Sequence, residues 1–174
     1  MSMLLDLTRF RGGAEVIDRR FEPADFGPAE EDFRVAAPVH LKVEVRKDAK
    51  KVRLVGQLTT TLELVCGRCL EPYTILVDTA LDLLFLPVAE QALKGDLEMS
   101  DADVGVSYYQ DDQIDLGEMM REQFYLALPM KPLCRDDCAG LCPICGANRN
   151  REQCQCQASW VDPRLEPLRR LKSQ

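Results

Sequence analysis

A chain of 174 residues suits one domain, or one domain with a small appendage. Its apolar content is that of a globular core, and no apolar run approaches the roughly 18 residues of a membrane-spanning helix. The formal net charge of −7 is unevenly spread: residues 131–174 hold eight Lys/Arg against five Asp/Glu, a charge of +3, which leaves −10 on the first 130.

An acidic body disfavours non-specific attraction to nucleic acid and suits a protein partner with a basic face. RNA, if touched, meets the basic C-terminal end. Residues 1–10 are interrupted by Asp6 and Arg9 and lack the uninterrupted apolar stretch of a signal peptide. The expected location is cytoplasmic, where thiols stay reduced and clustered cysteines favour metal over disulfides.

In chain order, residues 11–34 carry Gly12, Gly13, Pro23 and Pro28 with little periodicity and read as mostly loop. Val39, Leu41, Val43 and Val45 then alternate with His40, Lys42, Glu44 and Arg46, the pattern of a half-buried strand. A turn is expected at residues 48–50. Val52, Leu54, Gly56, Leu58, Thr60, Leu62, Leu64 and Cys66 share one face of the next strand. After Pro72, so do Tyr73, Ile75, Val77, Thr79, Leu81, Leu83 and Phe85. Residues 87–105, with Glu90, Asp96, Glu98, Asp101 and Asp103, read as a solvated acidic loop.

A short strand is expected over 106–110. A helix over 115–128 follows, capped by Asp115 with Glu118 three residues on, and ended by Pro129. Leu116, Met119, Met120, Phe124, Ala127 and Leu128 recur at helical spacing, and the Met pair reads as core. The expected fold is α+β: an antiparallel β-sheet or meander packed by one central helix, with a C-terminal cysteine-rich zinc module. Residues 1–130 would form the acidic β-rich body. Residues 131–174 would form the zinc module and basic tail, tied into one folding unit by Cys66 and Cys69.

The eight cysteines carry the sharpest signal. Six fall within residues 134–156, and Cys66 and Cys69 form a separate pair at the connection of two long strands. Eight thiolates satisfy two tetrahedral zinc sites, and a Cys-x-x-Cys turn presents two sulfurs to one metal. Cys142-Pro-Ile-Cys145-Gly146 has a glycine where the tight turn needs it, and Cys154-Gln-Cys156 returns two more ligands locally.

One site is therefore read as Cys142, Cys145, Cys154 and Cys156. Cys66, Cys69, Cys134 and Cys138 remain for a second, tying the hairpin to the end of the helix. A swapped arrangement, Cys66/Cys69 with Cys142/Cys145, and a single zinc with four spare thiols stay open. Arg68, Arg135, Arg149 and Arg151 lie beside these cysteines in sequence and would offset thiolate charge. Any one cysteine alone is credible as a small buried apolar residue, but the spacings of the whole set suit tetrahedral closure.

Little else points to catalysis. His40, the one histidine, falls on a solvent face, and closed four-cysteine sites leave no position for a substrate water. No Walker loop, dinucleotide turn or HExxH motif is present. The chain is read as no enzyme, with no small-molecule substrate. The alternative is a thiol-redox switch or redox-regulated chaperone using the CxxC and CxC cysteines. It is weakened because Cys142-Pro-Ile-Cys145 does not open a helix after a strand.

In the tail, Trp160, Arg164, Arg169, Arg170 and Lys172, with Arg149 and Arg151 before them, are candidate nucleic-acid contacts. The alternative is Trp160 packed on the zinc module and charges that are only solvated.

Together these motifs resemble the YceD family. Cys66-Gly-Arg-Cys69-Leu-Glu-Pro72 resembles its CxRC-x-xP element, and helix 115–128 with Pro129-Met130 and Pro132-Leu-Cys134 resembles its central segment. Cys138-Ala-Gly-Leu-Cys142-Pro-Ile-Cys145-Gly146, Cys154-Gln-Cys156 and Asp162-Pro163-Arg164 resemble its C-terminal module and tail. The resemblance is specific over residues 62–165 and weak in the first 35.

It implies a role in accumulation or maturation of 23S rRNA and in large-subunit assembly. The implied partners are large-subunit rRNA precursor and/or ribosomal or assembly proteins, with no membrane. By resemblance only, members with a reduced cluster support pairing Cys66/Cys69 with Cys134/Cys138.

Overall fold

The computed structural model describes residues 3–10, 13–28, 30, 32–88 and 106–156. Its frame is one long hairpin. Strand β5 (Lys51–Val65) and strand β6 (Pro72–Pro87) pair antiparallel without a break from Val52↔Phe85 to Val65↔Pro72. β4 (Val39–Asp48) lies on the other side of β5, closed by a tight turn in which Ala49 takes φ 51°.

The alternation read from the sequence is the one buried here. Val39, Leu41, Val43 and Val45 of β4 and Val52, Leu54, Leu58, Leu62 and Leu64 of β5 are all buried on one face, with Val77, Leu81 and Phe85 of β6. Each such side chain contributes about 1.5–3 kcal/mol of transfer free energy. The opposite face carries cross-strand ion pairs, among them Arg53 with Asp82 and Arg34 with Glu63.

Helix α1 (Leu116–Ala127) covers the buried face with Leu116, Met119, Met120 and Phe124. The Asp115 carboxylate accepts from the N–H groups of Gly117 and Glu118, satisfying two open donors of the first turn. Leu128 is extended (φ −65°, ψ 136°), as the residue before Pro129 must be. The Met pair is core, as the spacing indicated.

Two expectations are corrected. Residues 11–34 are not mostly loop: β2 (Gly13–Phe21) pairs along its length with β4, a short 3-10 turn covers Pro23–Phe26, and β3 (Arg34–Val35) pairs with β5. The strand signal was masked because β2 is an edge strand. Val16 faces solvent, Arg19 faces inward, and only Ile17 and Phe21 are buried. Phe21, Phe26 and Phe33 from this segment join Phe124 in one aromatic cluster, with ring centroids 5.6–6.4 Å apart.

The sheet is also not purely antiparallel. β7 (Val106–Tyr109) runs parallel to the end of β6, giving the order β2-β4-β5-β6-β7. A turn with Asp111 and Asp112 both at positive φ then leads to β8 (Gln113–Asp115), which pairs with β1 (Leu4–Asp6). The acidic segment over 89–105 lies outside the described residues. No helix among the described residues is long and apolar enough to cross a membrane.

Candidate metal centres

The β5–β6 ladder ends at Val65↔Pro72, and the residues between form a knuckle. Cys66 N–H donates to Glu71 O (2.9 Å) and Leu70 N–H to Cys66 O (2.9 Å), with Leu70 in the left-handed region at φ 59°. The same turn recurs at the second cysteine pair. Leu141 bridges Asn148, Cys142 N–H donates to Ala147 O (2.8 Å), and Gly146 N–H donates to Cys142 O (2.9 Å), with Gly146 at φ 74°. Each knuckle is shaped by short-range hydrogen bonds of the same pattern, and backbone N–H groups are aimed at sulfur.

Two clusters of four sulfurs result. Cys66, Cys69, Cys134 and Cys138 form one, and Cys142, Cys145, Cys154 and Cys156 the other, with all sulfurs of a cluster within 4.8 Å of one another. Cys66 Sγ and Cys138 Sγ are 3.8 Å apart, as are Cys69 Sγ and Cys134 Sγ. A tetrahedron with metal–sulfur bonds of about 2.3 Å has sulfur edges of about 3.8 Å, whereas a disulfide needs about 2.0 Å. All eight cysteines are free thiols.

Electrostatics agree with the geometry. The N–H groups of Cys134, then of Cys69 and Arg68, hold the Cys66 thiol down to about 6. Those of Cys145 and Ile144 hold Cys142 down to about 6. Desolvation and then proton sharing with Cys66 and Cys69 push Cys134 up to about 12. Proton sharing with Cys145 and then desolvation do the same to Cys156, also to about 12. Four thiols this close compete for protons, and a divalent cation resolves the competition by letting all four ionise. The donor set, spacing and N–H orientation fit a four-thiolate metal in both clusters.

The surroundings tie the two clusters together. Pro132 O accepts from Gly67 N–H at 2.7 Å, docking the chain after α1 onto the first knuckle. Leu141 N–H donates to Arg68 O at 3.1 Å, and Arg68 Nη1 donates to Cys138 O at 3.0 Å. Asn150, from the loop between Cys145 and Cys154, donates Nδ2 to Cys138 Sγ (3.3 Å) and to Asn148 Oδ1 (2.9 Å). Its Oδ1 accepts from Arg135 Nη2 (2.7 Å) and Ala139 N–H (2.8 Å). All four contacts use the amide in one orientation. Asn148 and Arg151 both reach the Glu71 carboxylate on the first knuckle. The first cluster is the more enclosed: Cys66, Cys69 and Cys138 are buried and Cys134 is exposed, whereas in the second only Cys142 is buried.

Of the other residues singled out from sequence, Arg68, Arg135 and Arg151 are spent on these internal contacts. Arg149 is exposed, and its side chain has no ion pair among the described residues. Trp160, Arg164, Arg169, Arg170 and Lys172 lie outside the described residues. His40 is half exposed on the solvent face and meets Asp18 Oδ1 at 2.7 Å. Asn148, Asn150 and Glu71 escaped the sequence reading. Only the Asn-x-Asn spacing inside the cysteine loop hinted at them, and their contacts cross between separate loops.

The family described as "Large ribosomal RNA subunit accumulation protein YceD" matches residues 54–172, a span that contains all eight cysteines and all of the long hairpin except its first three residues. An Arabidopsis thaliana protein named "Large ribosomal RNA subunit accumulation protein YCED homolog 1, chloroplastic" is 27% identical over 172 residues, covering 82% of this chain and 51% of its own length. The Zea mays protein of the same name is 28% identical, covering 87% and 61%. A Mycobacterium tuberculosis protein is 32% identical over 170 residues, covering 95% of this chain and 79% of its own. The chain thus spans about half to three-fifths of the length of the two plant relatives. No solved structure matches.

Proposed function

The chain belongs to the YceD family of large ribosomal RNA subunit accumulation proteins, and on that premise we propose that it is a non-enzymatic assembly factor. It would promote 23S rRNA accumulation and large-subunit assembly by binding rRNA precursor and/or ribosomal or assembly proteins. The observation that carries the reading is the family match over 54–172, which takes in both sulfur clusters. Supporting it, each of the two clusters brings together four cysteine sulfurs, the full donor set of a structural metal site.

In this reading each cluster holds one Zn2+, two per chain, with Cys66, Cys69, Cys134 and Cys138 as one ligand set and Cys142, Cys145, Cys154 and Cys156 as the other. The metals are structural. The first fastens the acidic body (residues 1–130) to the cysteine-rich module (131–174), and the second shapes the platform from which the basic tail leaves. RNA contact falls to Arg149 and to the tail residues Trp160, Arg164, Arg169, Arg170 and Lys172. The compartment is the reducing cytoplasm, and no membrane or small-molecule substrate is involved.

The test is depletion of the protein in the organism that encodes it, followed by gradient sedimentation and quantification of 23S against 16S rRNA. A falling 23S share with accumulating large-subunit precursors is expected. An unchanged ratio would sink the proposal. In the same assay, charge reversal at Arg164, Arg169 and Arg170 should release the protein from precursor fractions, and retention there would remove the tail from the reading.

A further inference from the structure

The sheet has two edges, and they are built differently. β2 mixes Glu15, Asp18, Arg19 and Arg20 among its nine residues, the charged composition by which natural edge strands resist further pairing. β6 is different. β7 covers only its last four residues, Leu84 to Pro87. Over residues 72–83 no described strand pairs with its outer edge.

That stretch reads Pro-Tyr-Thr-Ile-Leu-Val-Asp-Thr-Ala-Leu-Asp-Leu, with no Lys or Arg and no proline after the first residue. Its two charges are already engaged across the sheet, Asp82 by Arg53 and Asp78 by Gln57. Leu76 stands 74% exposed on its outer face. A long, apolar edge left unpaired among the described residues is a template for one more strand.

Charge selects the occupant. Where β7 leaves off, a cavity of about 300 Å3 is lined by Phe85, Met119, Glu118 and Glu122 beside the Val106–Tyr109 strand. Glu118 and Glu122 are exposed and one helical turn apart, and α1's cation, Arg121, is turned to Phe26 O and Glu30 on the other flank. The chain's own segment 89–105 carries Glu90, Asp96, Glu98, Asp101 and Asp103 against Lys94 alone.

This acidity repels a second copy of the same edge and disfavours the chain's own 89–105. The chain's basic end carries Pro163 and Pro167, which break a strand ladder. We propose that the open edge of β6 over residues 72–83 binds an extended, Lys/Arg-bearing segment of a partner protein by strand addition. Backbone hydrogen bonds give the affinity, and Glu118 and Glu122 select its charge. The inference rests on the sheet edge and stands whether or not the chain touches rRNA.

The test uses the full, metal-loaded chain and a synthetic peptide of alternating lysine and valine, about ten residues long. Amide hydrogen exchange should slow at least about tenfold at alternate residues between Tyr73 and Leu83, and not along β2. Glu118→Gln/Glu122→Gln should weaken peptide binding by about tenfold. Leu76→Lys, at an exposed position, should weaken it similarly with unchanged circular dichroism.

Equal slowing by a control peptide of the same length with glutamate in place of lysine, equal slowing along β2, or no slowing would overturn the proposal. So would Leu76→Lys binding as tightly as wild type. Edge amides already protected in the free chain would also overturn it: persistence on dilution would assign the edge to the chain's own segment, and loss on dilution to a second copy.

Discussion

Asn150 Nδ2 donates to Cys138 Sγ at 3.3 Å, so a residue of the second cysteine loop holds a sulfur of the first cluster. The same amide accepts from Arg135 and Ala139, which fixes the Cys134–Cys138 segment as well. The two clusters are therefore joined by direct hydrogen bonds through one side chain.

Asn150→Ala should weaken metal binding at the first cluster although Asn150 is no ligand. Outer-sphere hydrogen bonds to metal ligands are worth about 10–100-fold in affinity. Competition with a chromogenic chelator would read this as faster release of the better-protected metal. Release indistinguishable from wild type would show that the clusters act separately.

Metal removal separates the structural reading from the thiol-redox reading. Cys142→Ser should lose one metal of two by native mass spectrometry and unfold the second knuckle, because metal binding and folding are one event in such a module. A variant that keeps its fold and metal but loses thiol reactivity would favour redox chemistry instead. Cys66→Ser should have the wider effect, releasing the chain after α1 from the hairpin tip, where Gly67 N–H meets Pro132 O at 2.7 Å.

The two knuckles place different residues at the same left-handed position, Leu70 at φ 59° and Gly146 at φ 74°. Gly146→Val should cost about 1–2 kcal/mol, the penalty of that conformation for a residue with a Cβ. Leu70→Gly should be close to neutral, since relief of that penalty offsets the extra freedom of the unfolded chain. Chemical denaturation of the metal-loaded variants would check both signs.

Gly56 of β5 pairs with Val43 of β4. A Cβ there would sit 2.0 Å from Lys42 O and 2.6 Å from Val43 Cα. Gly56→Ala must push β4 away and should destabilise by about 1–3 kcal/mol, as overpacking does. An unchanged urea midpoint would show that the sheet yields freely at this point.

Phe124 closes the aromatic cluster between α1 and the segment holding Phe26 and Phe33, and it is fully buried. Phe124→Ala should cost about 3–5 kcal/mol in a two-state urea titration. A loss below about 1 kcal/mol would mean the cluster repacks around the gap.

What the sequence determined by itself is whatever a short stretch of chain decides. The period-two burial of Val39 to Val45 and of Val52 to Leu64 was legible because one face meets the core and the other meets water. The helix was legible from its apolar spacing and Asp115, and the second cysteine set from its local closure. The family followed from cysteine motifs that sit on these elements.

Tertiary structure decided the rest, because the decisive contacts are distant in the chain. β2 is a strand because β4 offers it a ladder, not because its own pattern shows it. β7 joins in parallel across a crossover that no local signal encodes. Cys66 and Cys69 meet Cys134 and Cys138 only after the hairpin and α1 have packed, and Asn150 reaches Cys138 only once both knuckles stand side by side. Short-range hydrogen bonds and periodic burial can be read along a chain, whereas contacts closed by chain folding exist only when the long loops between them have closed.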